Sequence, residues 1–175
     1  MRCEGINAAF TTDGVYLAHY SEKGLAELDF PNRDGLVMPN HKANGRAVNS
    51  KQVPLQILRW HRFTTEALKA MLAGRAPKEL PPLDWTGTTE FQQAVWRQML
   101  KLKPGKTKSY GEIAGAIGHS KAVRAVGSAC GANPIPVLVP CHRILAAGGK
   151  IGGFGSGLDR KRDLLAREGI TFERL

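Results

Sequence analysis

Cysteine is scarce in this sequence of 175 residues, which contains Cys3, Cys130 and Cys141 and no C-x-x-C pair. An odd number of cysteines without paired spacing argues against a disulfide framework, and it gives no zinc-finger pattern. We therefore predict that the chain works in a reducing compartment, with no metal site and no other cofactor.

Long apolar runs are also missing. No stretch approaches the roughly 20 apolar residues that a membrane-spanning helix needs, and the N-terminal MRCEGINAAFTTDG lacks the apolar core of a signal peptide. We expect no membrane partner. The predicted location is the cytoplasm of a bacterium or archaeon, or the nucleus if the host is a eukaryote.

Acidic residues are outnumbered, with 15 Asp and Glu against 25 Lys and Arg, and the net charge is +10. Such an excess favours a polyanionic partner, nucleic acid before an anionic membrane. Between residues 101 and 124 the one acid is Glu112, among Lys101, Lys103, Lys106, Lys108, Lys121 and Arg124. This basic segment predicts contacts with DNA phosphates, and the alternative is a solvated charged face.

The first part of the chain predicts a small β-sheet and a helix. Residues 6–30 alternate like β-strands, with a turn at Asp13-Gly14 within INAAFTTDGVYLAHY and a second at Lys23-Gly24 before GLAELDF. The Pro-, Asn- and Gly-rich residues 31–50 predict a loop. Residues 53–72 have apolar residues at helical spacing, with a break near Thr64-Thr65.

Proline then marks a domain boundary. The stretch APKELPPLDWTG has three prolines in twelve residues and cannot be helical throughout. We predict an N-terminal α/β domain over residues 1–85 and a mainly helical domain over 86–175. The expected fold class is α/β.

Helix signals dominate the second domain. TTEFQQAVWRQMLKL has an apolar stripe of helical period and Thr88 or Thr89 as its cap. SYGEIAGAIG begins with a capping box of Ser109 and Glu112. Ser120 can cap a second short helix, KAVRAVGSACG, and two short helices joined by a tight turn predict a helix-turn-helix. GLDRKRDLLAREG predicts a basic helix that ends at glycine.

The second helix of this predicted motif consists almost entirely of small residues. Ala122, Ala125 and Gly127 offer no long polar side chains for base edges, which base-specific readout requires. Arg124 is its one long side chain. We therefore predict binding by shape and charge, with little preference for base sequence.

A possible nucleophile stands in VPCHRIL, at the end of the apolar run IPVLV, which predicts a short buried strand. Cys141 precedes His142, and nearby positive charge can lower the pKa of a thiol. Adjacent side chains on a strand diverge, so activation by His142 needs a bridging water or a local turn. Helical spacing places Glu168 on the apolar face of the last helix, where a carboxylate can orient a histidine. The alternatives are a buried, unreactive cysteine and a solvated glutamate.

The loop GGFGSGLDRK lacks the βαβ context of a dinucleotide fingerprint. We predict a flexible loop whose glycines allow close approach to a ligand.

NPIPVLVPCHRIL resembles the active-site signature of the O6-alkylguanine-DNA alkyltransferases, also called methylated-DNA–protein-cysteine methyltransferases. The segments TEFQQAVW, SYGEIA, KAVRAVGSACGANP and LLAREG follow the order and approximate spacing of that family. The resemblance covers residues 86–169 closely and the first 85 residues more loosely. It implies a ribonuclease H-like N-terminal domain, a helix-turn-helix domain that binds the minor groove of double-stranded DNA, and a monomer.

The resemblance also implies catalytic roles. Cys141 would accept the alkyl group, and His142 would take the thiol proton through a water, with Glu168 holding the imidazole. Asn133 would pin the turn that joins the recognition helix to the active-site strand. Tyr110 would crowd a DNA phosphate, help to rotate the nucleotide and donate toward the leaving guanine.

Further roles implied by the resemblance concern DNA and the guanine pocket. Arg124 would enter the base stack in place of the extruded base. The other DNA contacts would come from Ser109, Tyr110, Lys121, Ala122, Ala125 and Gly127. The pocket would be lined by Ser109, Val139, Ile144, Phe154, Gly155, Ser156 and Lys161. Some family members hold a structural zinc in the N-terminal domain, but only Cys3 is a plausible ligand here, so we expect no such site.

The predicted function is direct reversal of O6-alkylguanine in DNA by a single, irreversible transfer to Cys141. One alternative is a non-catalytic lesion binder, but the related binders of this kind replace the acceptor cysteine. A plain helix-turn-helix regulator would not need the Cys, His and Glu. A cysteine hydrolase would leave the DNA-binding features unexplained.

Overall fold

The computed structural model describes residues 5–31 and 53–173. The chain divides into two compact units, Met1–Ala70 with Pro77–Thr86, and Met71–Ala76 with Gly87–Leu175. Cys3 and nearly all of the loop predicted for residues 31–50 lie outside the described residues, and so does the expectation about zinc that rests on Cys3.

The first unit contains a three-stranded antiparallel sheet. Its strands β1 (Gly5–Thr11), β2 (Gly14–Ser21) and β3 (Gly24–Asp29) pair in chain order. Tight turns join them at the two predicted places, where Gly14 and Gly24 adopt positive φ angles of 115° and 151°. The turn predictions are therefore confirmed.

Helix α1 (Leu55–Leu72) is continuous, so the predicted break near Thr64-Thr65 is wrong. Both threonine hydroxyls donate to the carbonyl four residues earlier, at 3.0 and 2.9 Å, and so stay within the helix. The Thr64 hydroxyl also accepts a 2.8 Å hydrogen bond from Tyr20 of β2. This threonine therefore joins the helix to the sheet within the first unit.

The second unit is mainly helical. Its elements are α2 (Glu90–Leu100), β4 (Lys108–Ser109), α3 (Tyr110–Ala116), α4 (Val123–Gly131), β5 (Ile144–Leu145) and α5 (Leu158–Arg167). Strands β4 and β5 form a short parallel pair, and 3-10 turns lie at Cys141–Arg143 and Ala147–Gly149. With α1, the described part of the chain has five α-helices and one small antiparallel sheet, which confirms the mixed α/β class. No helix within it has the length and apolar character to cross a membrane.

Two of the three predicted helix caps are present. Thr89 caps α2 in a capping box with Gln92, and Ser109 caps α3 in a capping box with Glu112. The third prediction is wrong, because α4 begins at Val123 without a side-chain cap. A backbone turn occupies the place of the cap, in which the Ala122 amide donates to the His119 carbonyl at 2.7 Å.

The predicted strand IPVLV is also wrong. Residues 135–139 form a buried tight turn, in which the Val139 amide donates to the Ile135 carbonyl at 2.9 Å and Val137 has a φ of 71°. Pro134 and Pro136 have no N–H to give to a strand ladder and fix their φ angles, so an apolar run becomes a turn.

Helix α4 packs against α2 and α3 through its apolar face, Val126, Ala129 and Cys130. The buried indole of Trp96 on α2 donates to the Ala129 carbonyl at 2.8 Å. The acceptor carbonyl belongs to the residue directly before Cys130, and Arg124 and Ala125 are exposed on the outer side of the helix.

Two glycines that follow helices give a matched stability test. Gly74 (φ +68°) and Gly118 (φ +77°) are both left-handed, but a Cβ on Gly74 would clash with the Arg167 carbonyl oxygen, whereas nothing would lie within 4 Å of a Cβ on Gly118. We expect Gly118→Ala to cost about 1 kcal/mol of backbone strain, and Gly74→Ala to cost about 2 kcal/mol more from overpacking. Urea unfolding measures both, and equal losses would contradict the close approach at Gly74.

Candidate active site

Cys141 lies at the start of the 3-10 turn Cys141–Arg143, and the residue is 7% exposed. Asn133 Nδ2 donates to its Sγ at 3.2 Å and to the Val139 carbonyl at 2.8 Å. Asn133 Oδ1 in turn accepts from the Ile135 amide at 3.0 Å. One asparagine therefore fastens both the buried turn that precedes the cysteine and the sulfur itself.

Burial raises the pKa of the Cys141 thiol, and the hydrogen bond from Asn133 and the charge of Lys161 offset this only in part. The thiol therefore keeps its proton at neutral pH until a base takes it. Positive charge is nearby, as the sequence indicated, but burial is the stronger influence.

His142 is the nearest base along the chain, and its side chain is 1% exposed. Its Nε2 lies 3.1 Å from Glu168 Oε1, while the buried Nδ1 has no hydrogen-bond partner within residues 5–31 and 53–173. An ionised carboxylate only accepts, so Nε2 carries the proton and Nδ1 presents its lone pair in the neutral ring. Burial lowers the pKa of His142, against the effect of Glu168, which raises it.

Glu168 follows the last turn of α5, and its side chain is 1% exposed. The predicted inward-facing carboxylate is thus present. Oε2 accepts from the Gly105 amide at 3.2 Å and from Arg143 Nε at 2.9 Å, and Oε1 accepts from Arg143 Nη2 at 2.7 Å in addition to His142. Burial raises the pKa of Glu168, but the hydrogen bonds and charges of His142 and Arg143 outweigh it and lower the pKa to about 2.

Arg143 is the residue that the sequence reasoning missed. It is 2% exposed, and besides its three hydrogen bonds to Glu168 its Nη1 donates to the Leu102 carbonyl at 2.5 Å. The sequence signal was the arginine directly after the Cys-His pair. Nothing in the local sequence indicated that it would turn inward to the same carboxylate as His142.

A small cavity of about 130 Å³ lies in front of the thiol. Its lining is formed by Cys141, Tyr110, Cys130, Phe154 and four glycines, Gly127, Gly131, Gly153 and Gly155. Of the predicted site residues, Tyr110, Gly127, Phe154 and Gly155 therefore line the same cavity as the Cys141 thiol. The glycines leave room beside the sulfur that larger side chains would fill.

Lys161 is fully buried, and its Nζ donates to the carbonyls of Ile144 at 2.7 Å and of the cavity-lining Gly153 at 3.1 Å. Burial lowers its pKa to about 8, opposed by Cys141 and Cys130. Its contact with Gly153 anchors the glycine-rich loop.

The other predicted pocket residues do not line the cavity. Val139 and Ile144 are buried in the core, and Ser156 is half-buried in the loop. The Ser109 hydroxyl accepts from the Glu112 amide at 3.1 Å and donates to Glu112 Oε2 at 2.8 Å as part of the α3 cap. Its neighbour Tyr110 is half-buried, and burial together with Cys130 and Cys141 raises its pKa.

Five of the predicted DNA-contacting residues lie on α4 or just before it, whereas Ser109 and Tyr110 lie at the start of α3. Lys121, Arg124 and Ala125 are exposed, while Ala122 and Gly127 are half-buried. The exposed side of α4 is therefore a slim surface with a single long cationic side chain inside the helix.

Comparison with known proteins gives a consistent result. Residues 90–170 match the family model described as "6-O-methylguanine DNA methyltransferase, DNA binding domain". The methylated-DNA–protein-cysteine methyltransferase of Mycobacterium tuberculosis is 50% identical over 103 residues, which cover 59% of this chain and 62% of that protein. The bifunctional transcriptional activator/DNA repair enzyme Ada of Escherichia coli is 34% identical over 161 residues, which cover 92% of this chain and 44% of that protein.

A solved structure extends the similarity over most of the chain. The crystal structure of Mycobacterium tuberculosis OGT in complex with DNA has a TM-score of 0.73 and 33% sequence identity. The match covers 94% of this chain and 92% of that one.

Acid stability tests the charge on Glu168. Because its pKa is depressed from the ordinary 4.5 to about 2, its contribution to folding is complete above pH 4.5 and is lost as the pH falls toward 2. Glu168→Gln also leaves a buried guanidinium unpaired, so we expect it to lower the free energy of unfolding at pH 7 by about 3 kcal/mol.

The measurement is urea unfolding from pH 7 to pH 2. The variant should show a smaller loss of stability below pH 4.5 than the unsubstituted chain. Glu66→Gln is the control, since that side chain is 69% exposed. Parallel curves for Glu168→Gln and the unsubstituted chain would rule out the depressed pKa.

Proposed function

Because the chain belongs to the methylated-DNA–protein-cysteine methyltransferase family, we propose that it repairs O6-alkylguanine in DNA by transferring the alkyl group to Cys141. The observation that carries this proposal is the buried Cys141 thiol at a small cavity, beside a histidine bound to a buried glutamate. The whole of this arrangement lies within residues 90–170, which match the family model.

The proton of the thiol passes to His142 in this proposal. Cys141 and His142 are adjacent in the chain, and this adjacency does not bring the thiol and the imidazole into a direct hydrogen bond. Nδ1 of the ring is buried without a partner among the described residues. A water bridging Sγ and Nδ1 completes the path. Glu168 accepts from Nε2 and stabilises the imidazolium that forms.

The alkyl transfer is then a displacement at carbon. The thiolate of Cys141 attacks the alkyl carbon, a C–S bond forms, and the bond between that carbon and O6 breaks. The electron pair stays on O6, and guanine takes up one proton, for which the Tyr110 hydroxyl is the proposed donor. The products are a thioether on the protein and unmodified guanine.

DNA reaches this site through α3 and α4. We assign these helices as a helix-turn-helix that enters the minor groove with little sequence preference, since the exposed surface of α4 is narrow and carries Arg124, with Lys121 just before the helix. An alkylated base inside a duplex must be flipped out, which costs a few kcal/mol. Arg124 fills the vacated stack, and the other DNA contacts are Ser109, Tyr110, Lys121, Ala122, Ala125 and Gly127.

The family resemblance also supports assignments for the guanine pocket, the domains, the oligomeric state and the location. Phe154, Gly155 and Ser156 hold the flipped guanine together with Ser109 and Lys161, with Val139 and Ile144 beneath it. We further propose a ribonuclease H-like domain over residues 1–85, a DNA-binding domain over 86–175, a monomeric protein and a cytoplasmic location. The division into two compact units supports the domain assignment.

The acceptor assignment predicts a single turnover. A thioether is not reversed by thiol exchange, so excess DNA with labelled O6-methylguanine should give a burst that ends at about one alkyl group per chain. Peptide mass analysis should locate the group on Cys141. Cys141→Ser should transfer nothing and still bind DNA. Turnover beyond one equivalent would instead favour a hydrolytic enzyme.

The wedge assignment predicts a difference between substrates. Arg124→Ala should slow repair of duplex DNA by about tenfold or more, because the extruded base then returns to the stack at a gain of a few kcal/mol. Reaction with free O6-benzylguanine should change little. The exposed Arg162 of α5, paired with Asp159, provides a charge-matched control as Arg162→Ala. An equal loss on both substrates would refute the wedge.

A further inference from the structure

The carboxylate of Glu168 serves two partners at once. His142 Nε2 lies 3.1 Å from Oε1, and Arg143 donates to Oε1 from Nη2 at 2.7 Å and to Oε2 from Nε at 2.9 Å. All three side chains are at most 2% exposed. The adjacent residues His142 and Arg143 therefore converge on one buried anion from the same 3-10 turn.

A carboxylate that faces a histidine alone favours the imidazolium, because an opposite charge at this distance stabilises the charged ring. An imidazolium has no lone pair and cannot take a proton from a thiol. In this site the guanidinium balances the carboxylate by a bidentate pair, so the imidazole next to them faces a nearly neutral ion pair. The charge of Arg143 is therefore relevant to the state of the base.

We infer that Arg143 is a positioning residue for the proposed transfer to Cys141: it holds Glu168 ionised against His142 Nε2 and keeps the imidazole neutral. The inference rests on the proposed function, in which Nδ1 of His142 receives the thiol proton. Arg143 is not among the residues that line the cavity, and it acts through Glu168.

Other charged groups around His142 do not replace Arg143. Burial is the largest cause that lowers the pKa of His142, Glu168 on α5 raises it, and Arg143 and Lys161 lower it. Lys161 binds the carbonyls of Ile144 and Gly153 instead of the carboxylate. The side chains that hydrogen-bond to Glu168 in the described part of the chain are those of His142 and Arg143. Removal of Arg143 therefore leaves His142 as the side-chain partner of this carboxylate.

The anchoring of Arg143 also fixes the orientation of the Glu168 carboxylate. Its Nη1 donates to the Leu102 carbonyl at 2.5 Å, just beyond α2, while Nε and Nη2 take the carboxylate. A planar guanidinium held at both sides presents Glu168 in one orientation. A lysine would keep the charge without this fork.

The pH dependence of alkyl transfer separates this role from a purely structural one. We would measure single-turnover transfer from free O6-benzylguanine to Cys141 by intact mass, from pH 5 to pH 9. In Arg143→Gln the acidic limb should move up by about one pH unit, which means about tenfold slower transfer below the limb and recovery above it. Arg167→Gln is the matched control, because Arg167 is exposed on α5 and donates to the Leu72 carbonyl.

The double variant Arg143→Gln/Glu168→Gln tests the route of the effect. It removes the carboxylate that favours the imidazolium, so its acidic limb should return toward that of the unsubstituted chain. In Arg143→Lys the acidic limb should shift less, in the same direction. This variant replaces Arg143→Gln in the test if Arg143→Gln does not fold. A uniform loss of rate at every pH in both single variants would overturn the inference.

An NMR titration of the His142 ring in the full chain gives a readout independent of transfer. Its pKa should rise in Arg143→Gln and stay unchanged in Arg167→Gln. No rise in Arg143→Gln would overturn the inference even where transfer is fast. A rise without any benzyl transfer by the unsubstituted chain would support the electrostatic role of Arg143 and reject the proposed function.

Discussion

The geometry around the Cys141 thiol depends on one buried anion. Glu168 lies just past the end of α5, and its two carboxylate oxygens accept hydrogen bonds from His142, Arg143 and the Gly105 amide. Through Arg143 the same network reaches the Leu102 carbonyl beyond α2. Buried charge is expensive unless it is paired and hydrogen-bonded. Satisfying this carboxylate therefore forces α5, the cysteine turn and the chain after α2 into one arrangement.

The same burial creates the chemical problem that the site has to solve. A thiol enclosed in the core is held in place, but its pKa rises, so it reacts slowly without a base. A histidine in the same core has its pKa lowered and stays neutral, which suits it as that base. Burial thus opposes the thiolate and favours the neutral imidazole, and the paired carboxylate adjusts the balance between them.

The small residues of α4 affect both its packed side and its exposed side. Helix α4 is held by the indole of Trp96 and by its small apolar residues, so its backbone lies close to α2. Its outer side is narrow for the same reason, with Arg124 as the long side chain. The small residues of α4 thus allow tight packing against α2, and on the exposed side of the helix they leave its surface open to close approach.

Much of this protein was predictable from the sequence, because local rules govern helix caps, turns and apolar period. The family resemblance, the cap of α2, the capping box of α3, the two hairpin turns and the inward face of Glu168 were all predicted and are confirmed. Each rests on residues within a few positions of one another, or on a signature that is contiguous in the chain.

Tertiary structure decided the rest. The run IPVLV became a turn because prolines withhold its ladder bonds, and α1 stayed whole because Tyr20 and the helix carbonyls engage Thr64. Arg143 joined the site because a carboxylate 25 positions away in the chain needed a second buried partner. Such long-range pairing depends on which groups folding removes from water together, and no local pattern in the sequence records that.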